Sequence, residues 1–249
     1  MVGGPETARS TQSELKETKP HGEGRQAQPT AIFDLDGTLL DTLDDLAAST
    51  NYALSYHELP GRTRDQVRQY VGNGIRNLIR LAVPEGSSDD LIDRVHATFD
   101  EHYAAHNLVA TAPYPGVIEL LGRLQQRGMK ICVVSNKGDY AVQPLIRHFF
   151  GNNVDVACGE REKDGIRRKP WPDTVLACME RVGATRASSV YIGDSEVDLL
   201  TAQNAGIGCI VVGWGFRDEK TLYDSGAKRI LYTCEELERA ICDALVPES

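Results

Sequence analysis

From residue 30 onward, short apolar segments alternate with stretches of helical periodicity, and this alternation limits the folds open to the chain. The apolar segments read TAIFD, KICVVSN, VDVACG, SVYIGD, CIVVGW and, more weakly, RILYT. Between them, stretches such as 117–124 and DTVLACMERVG place apolar residues three and four positions apart. Strands without strict alternation that are separated by helices are typical of a parallel sheet covered on both faces. The pattern therefore predicts an α/β fold built on a doubly wound parallel sheet.

One interval interrupts this alternation. Between residues 43 and 112 no strand pattern occurs, and three helical patterns are separated by ELPGR, AVPEGSS and similar turn sequences. The interval predicts a smaller, all-helical domain inserted after the first strand, with hinges at Leu39–Leu43 and Thr111–Gly116. The expected domains are a disordered tail over 1–28, an α/β core over 29–42 and 113–249, and the helical insert over 43–112.

Composition and charge disfavour several classes of protein. The chain has 249 residues, of which 41% are hydrophobic and 25% charged, as in ordinary soluble globular proteins. Its net charge of −9 argues against broad nucleic-acid binding. The apolar segments are too short to span a bilayer, and the N-terminal segment lacks the apolar stretch of a secretory signal. Six scattered cysteines without a CxxC pair are expected to be reduced, so we predict a cytoplasmic protein, either a monomer or a homodimer.

Acidic, hydroxyl and basic side chains follow the predicted strands where each strand ends. Such ends meet at one edge of a parallel sheet, where doubly wound proteins bind their ligands. Taken singly, each residue has an ordinary explanation, such as a helix N-cap or a turn. Together they predict a site for a divalent metal and a phosphate. The residues are Asp34, Asp36, Gly37 and Thr38 after the first strand, Ser135 and Asn136 at the second, Lys169 at the start of a later helix, and Asp194 with Asp198 at the fourth strand.

These residue types suit phosphoryl transfer. Carboxylates such as Asp34, Asp194 and Asp198, with a backbone carbonyl and waters, supply the hard oxygen ligands that Mg²⁺ prefers. Ser135 and backbone N–H groups can bind phosphate oxygens, and Lys169 adds positive charge. A carboxylate can attack phosphorus to form an aspartyl-phosphate. A second acid two residues further on can protonate the leaving alcohol and then activate water.

Four segments in this order, FDLDGTLLDT, VVSNK, RRKPWPD and GDSEVD, resemble the four motifs of the haloacid dehalogenase superfamily. The resemblance covers residue 30 to the C-terminus and implies a Rossmann-like core. It implies that Asp34 is the nucleophile and Asp36 the general acid/base, and that Ser135 and Lys169 stabilise the transferring phosphoryl group. The implied metal ligands are Asp34, Asp36, Asp194 and Asp198, and the implied substrate-binding residues are Gly37, Thr38 and Asn136. The helical insert resembles the cap domain that closes over substrate in these enzymes, and we refer to residues 43–112 as the cap.

Within the superfamily, Asp36 indicates phosphoryl transfer, because dehalogenases lack an acid at this position and a halide leaves without a proton. The segments YVGNGIRNLIRLAV in the cap and VGWGFRD after the fifth strand are similar to phosphoglycolate phosphatases and close relatives. We therefore expect a Mg²⁺-dependent phosphatase that acts on a small phosphorylated metabolite, with phosphoglycolate as the favoured substrate. Asn73, Arg76 and Arg168 are further candidates for substrate contact.

Other functions are compatible with the same residues. A sugar-phosphate phosphatase, a nucleotidase, a pyrophosphatase or a phosphomutase could use this scaffold. A phosphoacceptor signalling module also combines paired acids, a hydroxyl residue and a lysine on a doubly wound sheet. The length of the chain and the helical insert between DGT and GDSEVD disfavour that alternative. A catalytically inactive binding protein is disfavoured because every acid that the mechanism needs is present.

Overall fold

The computed structural model describes Met1 and residues 27–245. The tail predicted over 1–28 falls almost entirely outside the described residues, so its disorder stays a prediction. In chain order the elements are β1 (Thr30–Phe33), β2 (Leu40–Asp41), α1 (Leu43–Tyr56), α2 (Arg64–Tyr70), α3 (Ile75–Ala82), α4 (Asp89–His106), β3 (Ala112–Pro113), α5 (Val117–Gln126), β4 (Lys130–Gly138), α6 (Asp139–Phe149), β5 (Val156–Glu160), α7 (Asp173–Val182), β6 (Ser189–Gly193), α8 (Glu196–Ala205), β7 (Gly208–Val212), α9 (Glu219–Asp224), β8 (Ile230–Leu231) and α10 (Cys234–Leu245).

The main sheet has six strands in the order β5-β4-β1-β6-β7-β8, and every neighbouring pair is parallel. All six come from the apolar segments that the sequence marked as strands. β1 lies at the centre, where Phe33 is in register with Val133 of β4 and Ile192 of β6. The chain continues from β1 to β4 on one side and reaches β6 on the other, so the order reverses beside β1. The predicted doubly wound sheet is confirmed.

Helices cover both faces of this sheet, as the alternation of side chains along β1 shows. Phe33 points to the face where the apolar sides of α5 and α10 pack. Ile32, its neighbour, points to the opposite face, where α7 and α8 contribute buried residues such as Cys178 and Ala202. All four residues of β1 are buried, because successive side chains enter opposite hydrophobic layers.

The cap contains four helices, α1 to α4, around a hydrophobic cluster of its own. Three helical patterns were predicted, and α2 is the helix that was missed. Val67 is its only buried residue, so its sequence shows no apolar periodicity. Instead a capping box fixes its start: Thr63 accepts a hydrogen bond from the Gln66 N–H, and the Gln66 side chain accepts one from the Thr63 N–H.

The two connections between core and cap form a short ribbon. β2 and β3 pair antiparallel, with Leu40 opposite Pro113 and Asp41 opposite Ala112. Beside the ribbon, the buried carboxylate of Asp45 accepts hydrogen bonds of 2.9–3.1 Å from the N–H groups of Ala110 and Thr111. The segments predicted as plain hinges are therefore tied to each other, so a movement of the cap involves both at once.

Two further observations bear on the class of protein. The structure has six free cysteines, of which four are buried and Cys209 and Cys242 are half-buried. No helix among residues 27–245 combines the length and the apolar composition that crossing a bilayer requires.

Candidate active site

Three carboxylates meet at the carboxyl end of the central strands. Asp34 follows β1 and Asp194 follows β6, and these strands are neighbours, so the two acids lie side by side. Asp198 joins them from the first turn of α8. One oxygen of each carboxylate lies within 4.8 Å of one oxygen of the other two, and all three residues are buried. The sequence predicted this group through its strand ends.

The charges of this acidic group repel one another in a buried place. Burial raises the pKa of Asp34 well above its usual range; the nearby ammonium of Lys169 opposes this, and the charges of Asp198 and Asp194 add to it. Burial, followed by the charge of Asp198, raises the pKa of Asp194 to about 7. Three buried carboxylates, whose repulsion the single ammonium of Lys169 offsets only in part, are the oxygen ligands that a hard divalent cation such as Mg²⁺ prefers, so the residues present fit this metal.

Lys169 provides positive charge beside Asp34. Its Nζ atom lies 2.8 Å from Oδ1 of Asp34 and 2.7 Å from Oδ1 of Asp198. Burial alone would lower the pKa of Lys169, but the carboxylates of Asp198 and Asp34 raise it well above the ordinary value, so the side chain is charged. Lys169 lies in the loop before α7, which begins at Asp173, and not in the first helical turn as the sequence suggested.

The nucleophile candidate Asp34 lines the cavity, and its two carboxylate oxygens differ in their contacts. Its Oδ1 atom accepts the N–H of Leu35 at 2.7 Å in addition to its ion pair with Lys169. Within residues 27–245, no hydrogen-bond donor contacts Oδ2. A carboxylate whose first oxygen is fixed and whose second oxygen is free is held in orientation for attack on an electrophile.

Asp198 supports the site more than it faces the cavity. Its Oδ2 atom accepts hydrogen bonds from the Ser195 hydroxyl at 2.6 Å and from the backbone N–H groups of Asp194 and Ser195. Its Oδ1 atom receives Lys169 and, at 3.2 Å, the hydroxyl of Tyr191. Asp198 therefore holds Lys169 and the loop that carries Asp194.

Asp194 is fixed by contacts on both of its oxygens. Oδ1 accepts the hydroxyl of Thr38 at 3.1 Å, and Oδ2 accepts the N–H of Phe216 at 2.7 Å. Gly37, at φ +88°, and Gly215 pack so closely on this carboxylate that a Cβ at either position would lie 2.3–2.4 Å from Oδ2. Gly37 and Thr38, predicted to bind substrate, are not among the residues that line the cavity and lie against Asp194, so their role toward substrate stays a prediction.

The second acid of the first motif lies apart from the acidic group. The Oδ1 atom of Asp36 accepts the hydroxyl of Thr42 at 2.6 Å and pairs with Nζ of Lys137 at 3.0 Å. Ser135 reaches its Oδ2 atom at 3.4 Å. Asp36 was also assigned to the metal site, but its side chain is not part of the acidic group; it is turned toward Lys137. This separation suits a proton-transfer group.

Asn136, a predicted substrate-binding residue, makes three hydrogen bonds within the protein. Its side-chain amide donates to the carbonyls of Gly72 and Lys169, and its carbonyl accepts the Lys169 N–H at 2.8 Å. The residue lines the cavity, but these three bonds commit its side chain to placing Lys169 and the cap loop at Gly72.

The cap closes the site from above. The cavity has a volume of about 40 Å³, and its charged walls all come from the core. The cap contributes only apolar residues and glycines: Leu46, Val71, Gly72, Gly74, Ile75 and Leu78. Of the further candidates for substrate contact, Arg76 is half-exposed and pairs with Asp93 and Asp89, and neither Asn73 nor Arg168 lines the cavity.

Arg217 holds core and cap together at the rim of this cavity, a role that the sequence analysis missed. Its guanidinium donates to the cap carbonyls of Val71 at 2.7 Å and Arg68 at 3.3 Å. It also pairs with Glu196 of the core at 2.8 Å. The segment VGWGFRD contained this residue, but a partner in the cap leaves no sequence pattern.

Known proteins match this chain over most of its length. The family model described as haloacid dehalogenase-like hydrolase matches residues 31–212. A phosphoglycolate phosphatase of Agrobacterium fabrum is 35% identical over 207 residues, covering 78% of this chain and 84% of the relative. Another, from Pseudomonas putida, is 34% identical over 192 residues, covering 74% and 69%. A crystal structure from Lactobacillus delbrueckii, assigned as a phosphoglycolate phosphatase, superposes with a TM-score of 0.80 at 37% identity, covering 87% of this chain and 99% of the other.

Proposed function

This chain belongs to the haloacid dehalogenase-like hydrolases, and we propose that it is a Mg²⁺-dependent phosphatase for phosphoglycolate or a closely similar small phosphomonoester. The single observation that carries the proposal is the arrangement around Asp34. Asp34 lines a cavity together with a second acid, Asp36, and a buried lysine, Lys169, and among the described residues only its Oδ1 atom is engaged by a hydrogen bond or an ion pair. Two relatives named phosphoglycolate phosphatase are 35% and 34% identical to this chain over 84% and 69% of their own length.

In the first step, Oδ2 of Asp34 attacks the phosphorus atom of the substrate, and the bond from phosphorus to the alcohol oxygen breaks. Asp36 donates a proton to that oxygen, so an alcohol leaves and Asp34 becomes an aspartyl-phosphate. Lys169, held by Asp198, balances negative charge beside Asp34 as the phosphoryl group moves. Ser135 lines the cavity, and rotation of its hydroxyl away from Asp36, which it contacts at 3.4 Å, would let it donate to a phosphoryl oxygen.

In the second step, Asp36, now a carboxylate, accepts a proton from water. The water oxygen attacks phosphorus, the bond to Asp34 breaks, and inorganic phosphate leaves while Asp34 is restored. Proton transfer of this kind accelerates a step by about 10²–10⁴-fold. Asp34 and Asp194, with Asp198 behind them, would hold Mg²⁺. When bound, the metal offsets the negative charge of the phosphate and of the acids around it.

The shape of the site supports a small substrate. The cavity beneath the closed cap is about 40 Å³, and the cap wall offers it only apolar side chains and backbone groups. Any phosphate ester must widen this space, and a sugar or nucleotide group must widen it further than a glycolate group does. The free cysteines support the proposed cytoplasmic location, where thiols stay reduced.

A panel of phosphate esters tests the proposal. Initial rates with phosphoglycolate, a hexose phosphate, a nucleoside monophosphate and pyrophosphate give kcat/KM for each, with Mg²⁺ and with EDTA. We expect the highest value for phosphoglycolate and loss of turnover in EDTA that added Mg²⁺ restores. Equal and low values across the panel, or a clear preference for a larger ester, would contradict the assigned substrate. Turnover that survives removal of divalent metal would contradict the metal requirement.

A further inference from the structure

A second buried lysine lies in the site without a part in the reaction described above. Lys137 follows Ser135 and Asn136 at the end of β4, and its side chain is almost fully buried. Its Nζ atom lies 3.0 Å from Oδ1 of Asp36 and donates to the hydroxyl oxygen of Tyr103 at 2.9 Å. The same atom lies 4.5 Å from the centre of the Tyr103 ring. Lys137 therefore stands between the acid/base candidate and the cap.

The two partners explain how this ammonium is tolerated in the interior. Burial would lower the pKa of Lys137, but the carboxylate of Asp36 and the hydroxyl of Tyr103 together raise it above its ordinary value, so the lysine is charged. Tyr103 comes from α4 and is itself buried, with its ring stacked on Phe99 at 5.3 Å. Packing in the interior of the cap thus fixes the ring of Tyr103, and the ring in turn fixes the position of the hydroxyl.

We propose that Lys137 is a positioning residue for Asp36, and that Tyr103 of the cap holds Lys137 in the place from which it does so. Through this chain of contacts the proton-transfer group is oriented from the cap side of the cavity. The inference rests on the proposed function, because it concerns the proton that Asp36 delivers and removes. Lys169 does not share this role, since its ammonium contacts Asp34 and Asp198 and not Asp36.

The leaving group makes this role measurable. The alkoxide that leaves from phosphoglycolate needs the proton of Asp36, whereas p-nitrophenolate leaves without one. The second step needs Asp36 as a base whichever substrate formed the aspartyl-phosphate. A misplaced Asp36 therefore slows both steps with phosphoglycolate, but only the second step with p-nitrophenyl phosphate.

Rapid mixing of Lys137→Met with p-nitrophenyl phosphate and Mg²⁺ tests the inference. We expect a burst of one p-nitrophenolate per site followed by slow turnover, and a kcat for phosphoglycolate that is lower than wild type by roughly 10²-fold. Lys137→Arg should recover part of this loss, because it restores the charge. An absent burst with equal losses on both substrates would overturn the inference, since it would show general damage to the site. Unchanged kinetics on both substrates would overturn it as well.

Two tyrosine variants distinguish the positioning of Asp36 through Lys137 from a general weakening of the contact between core and cap. Tyr103→Phe removes the hydroxyl that holds Lys137, and we expect kcat for phosphoglycolate to fall by about tenfold with little change in KM. Tyr140→Phe is the matched control: its hydroxyl donates to Asp100 of α4 at 2.7 Å, so it also joins core to cap, but it does not reach Asp36. Equal effects of the two variants would overturn the inference. Wild-type enzyme that hydrolyses no phosphate ester would instead contradict the proposed function.

Discussion

The ammonium of Lys169 lies 2.8 Å from Oδ1 of Asp34, the same oxygen that accepts the Leu35 N–H, so the positive charge orients the carboxylate without covering Oδ2. The same ammonium holds Asp198 at 2.7 Å. One buried cation thus stabilises two acids that would otherwise repel each other. The stability of the fold and the reactivity of the site depend on the same lysine.

Replacement of Lys169 by a neutral residue should reduce both the stability of the fold and the activity of the site. Lys169→Met leaves buried carboxylates without their partner, a loss that costs about 3–5 kcal/mol of the free energy of unfolding. Urea denaturation in EDTA measures it, and phosphatase activity should be lost at the same time. Lys130→Met is the control, because it removes a partly exposed pair with Asp155 that is worth about 1 kcal/mol or less. Equal destabilisation by the two variants would contradict the role given to Lys169.

The metal-free protein should lose stability as the pH rises from about 4 to about 7. The pKa of Asp194 is raised in the folded state to about 7, above its ordinary value of 3.8, so the folded state binds more protons than the unfolded state in this window. Asp194 contributes its full stabilisation of the fold below pH 3.8 and loses it as the pH rises through about 7. Melting temperatures in EDTA across this range measure the effect.

Asp194→Asn should remove part of this pH dependence, because the amide does not ionise. At neutral pH we expect the metal-free variant to melt at a higher temperature than metal-free wild type, since the repulsion with Asp198 is gone. Added Mg²⁺ should raise the melting temperature of wild type and have little effect on the variant. An equal response of both proteins to Mg²⁺ would show that Asp194 does not hold the metal.

The lack of a side chain at Gly215 leaves the space that the carboxylate of Asp194 occupies. A Cβ at this residue would lie 2.3 Å from Oδ2 of Asp194, so Gly215→Ala must displace the carboxylate. We expect the Mg²⁺ concentration for half-maximal activity to rise by roughly tenfold or more. Gly122→Ala in α5 is the control: a Cβ there meets nothing within 4 Å, and the change should stabilise the helix by about 0.5–1 kcal/mol. Unchanged metal dependence in Gly215→Ala would contradict this account.

Arg217 should matter for substrate capture. Arg217→Met removes the donors to the carbonyls of Val71 and Arg68, and the closed position of the cap loses these charged hydrogen bonds. We expect kcat/KM for phosphoglycolate to fall by about tenfold, chiefly through KM. Arg76→Met, which breaks exposed ion pairs inside the cap, should leave kcat/KM unchanged. The reverse order of effects would show that Arg76 acts on substrate.

The sequence predicted the parts of the site that depend on strand ends. Asp34, Asp36, Ser135 and Asp194 follow apolar segments that become neighbouring parallel strands, and the order of such strands brings their ends together. Periodicity also predicted three of the four helices between residues 43 and 112; it missed α2, whose single buried residue leaves no pattern. These features are local in the sequence, so they can be recognised without the structure.

Contacts between core and cap could not be predicted in this way. Tyr103 occupies an apolar position of α4, and the sequence gives no sign that its hydroxyl meets Lys137 from another domain. Thr38 and Asn136 lie near the site, as predicted, but the sequence did not reveal that their side chains hydrogen-bond Asp194 and Lys169; their roles toward substrate stay predictions. Such partners are set by the docking of separate elements, which residue type and spacing do not encode.

The most direct test of the central claim is to look for the phosphoryl group on Asp34 itself. The enzyme is mixed with phosphoglycolate and Mg²⁺, quenched in acid within one turnover and digested. We expect a peptide that contains β1 and Asp34 and carries one phosphoryl group on Asp34. With p-nitrophenyl phosphate, whose leaving group needs no proton, Asp36→Asn should increase the trapped fraction, because water is activated more slowly; Asp34→Asn should show neither modification nor turnover with either substrate. Continued phosphate release by Asp34→Asn, or turnover by wild type without modified Asp34, would contradict the account.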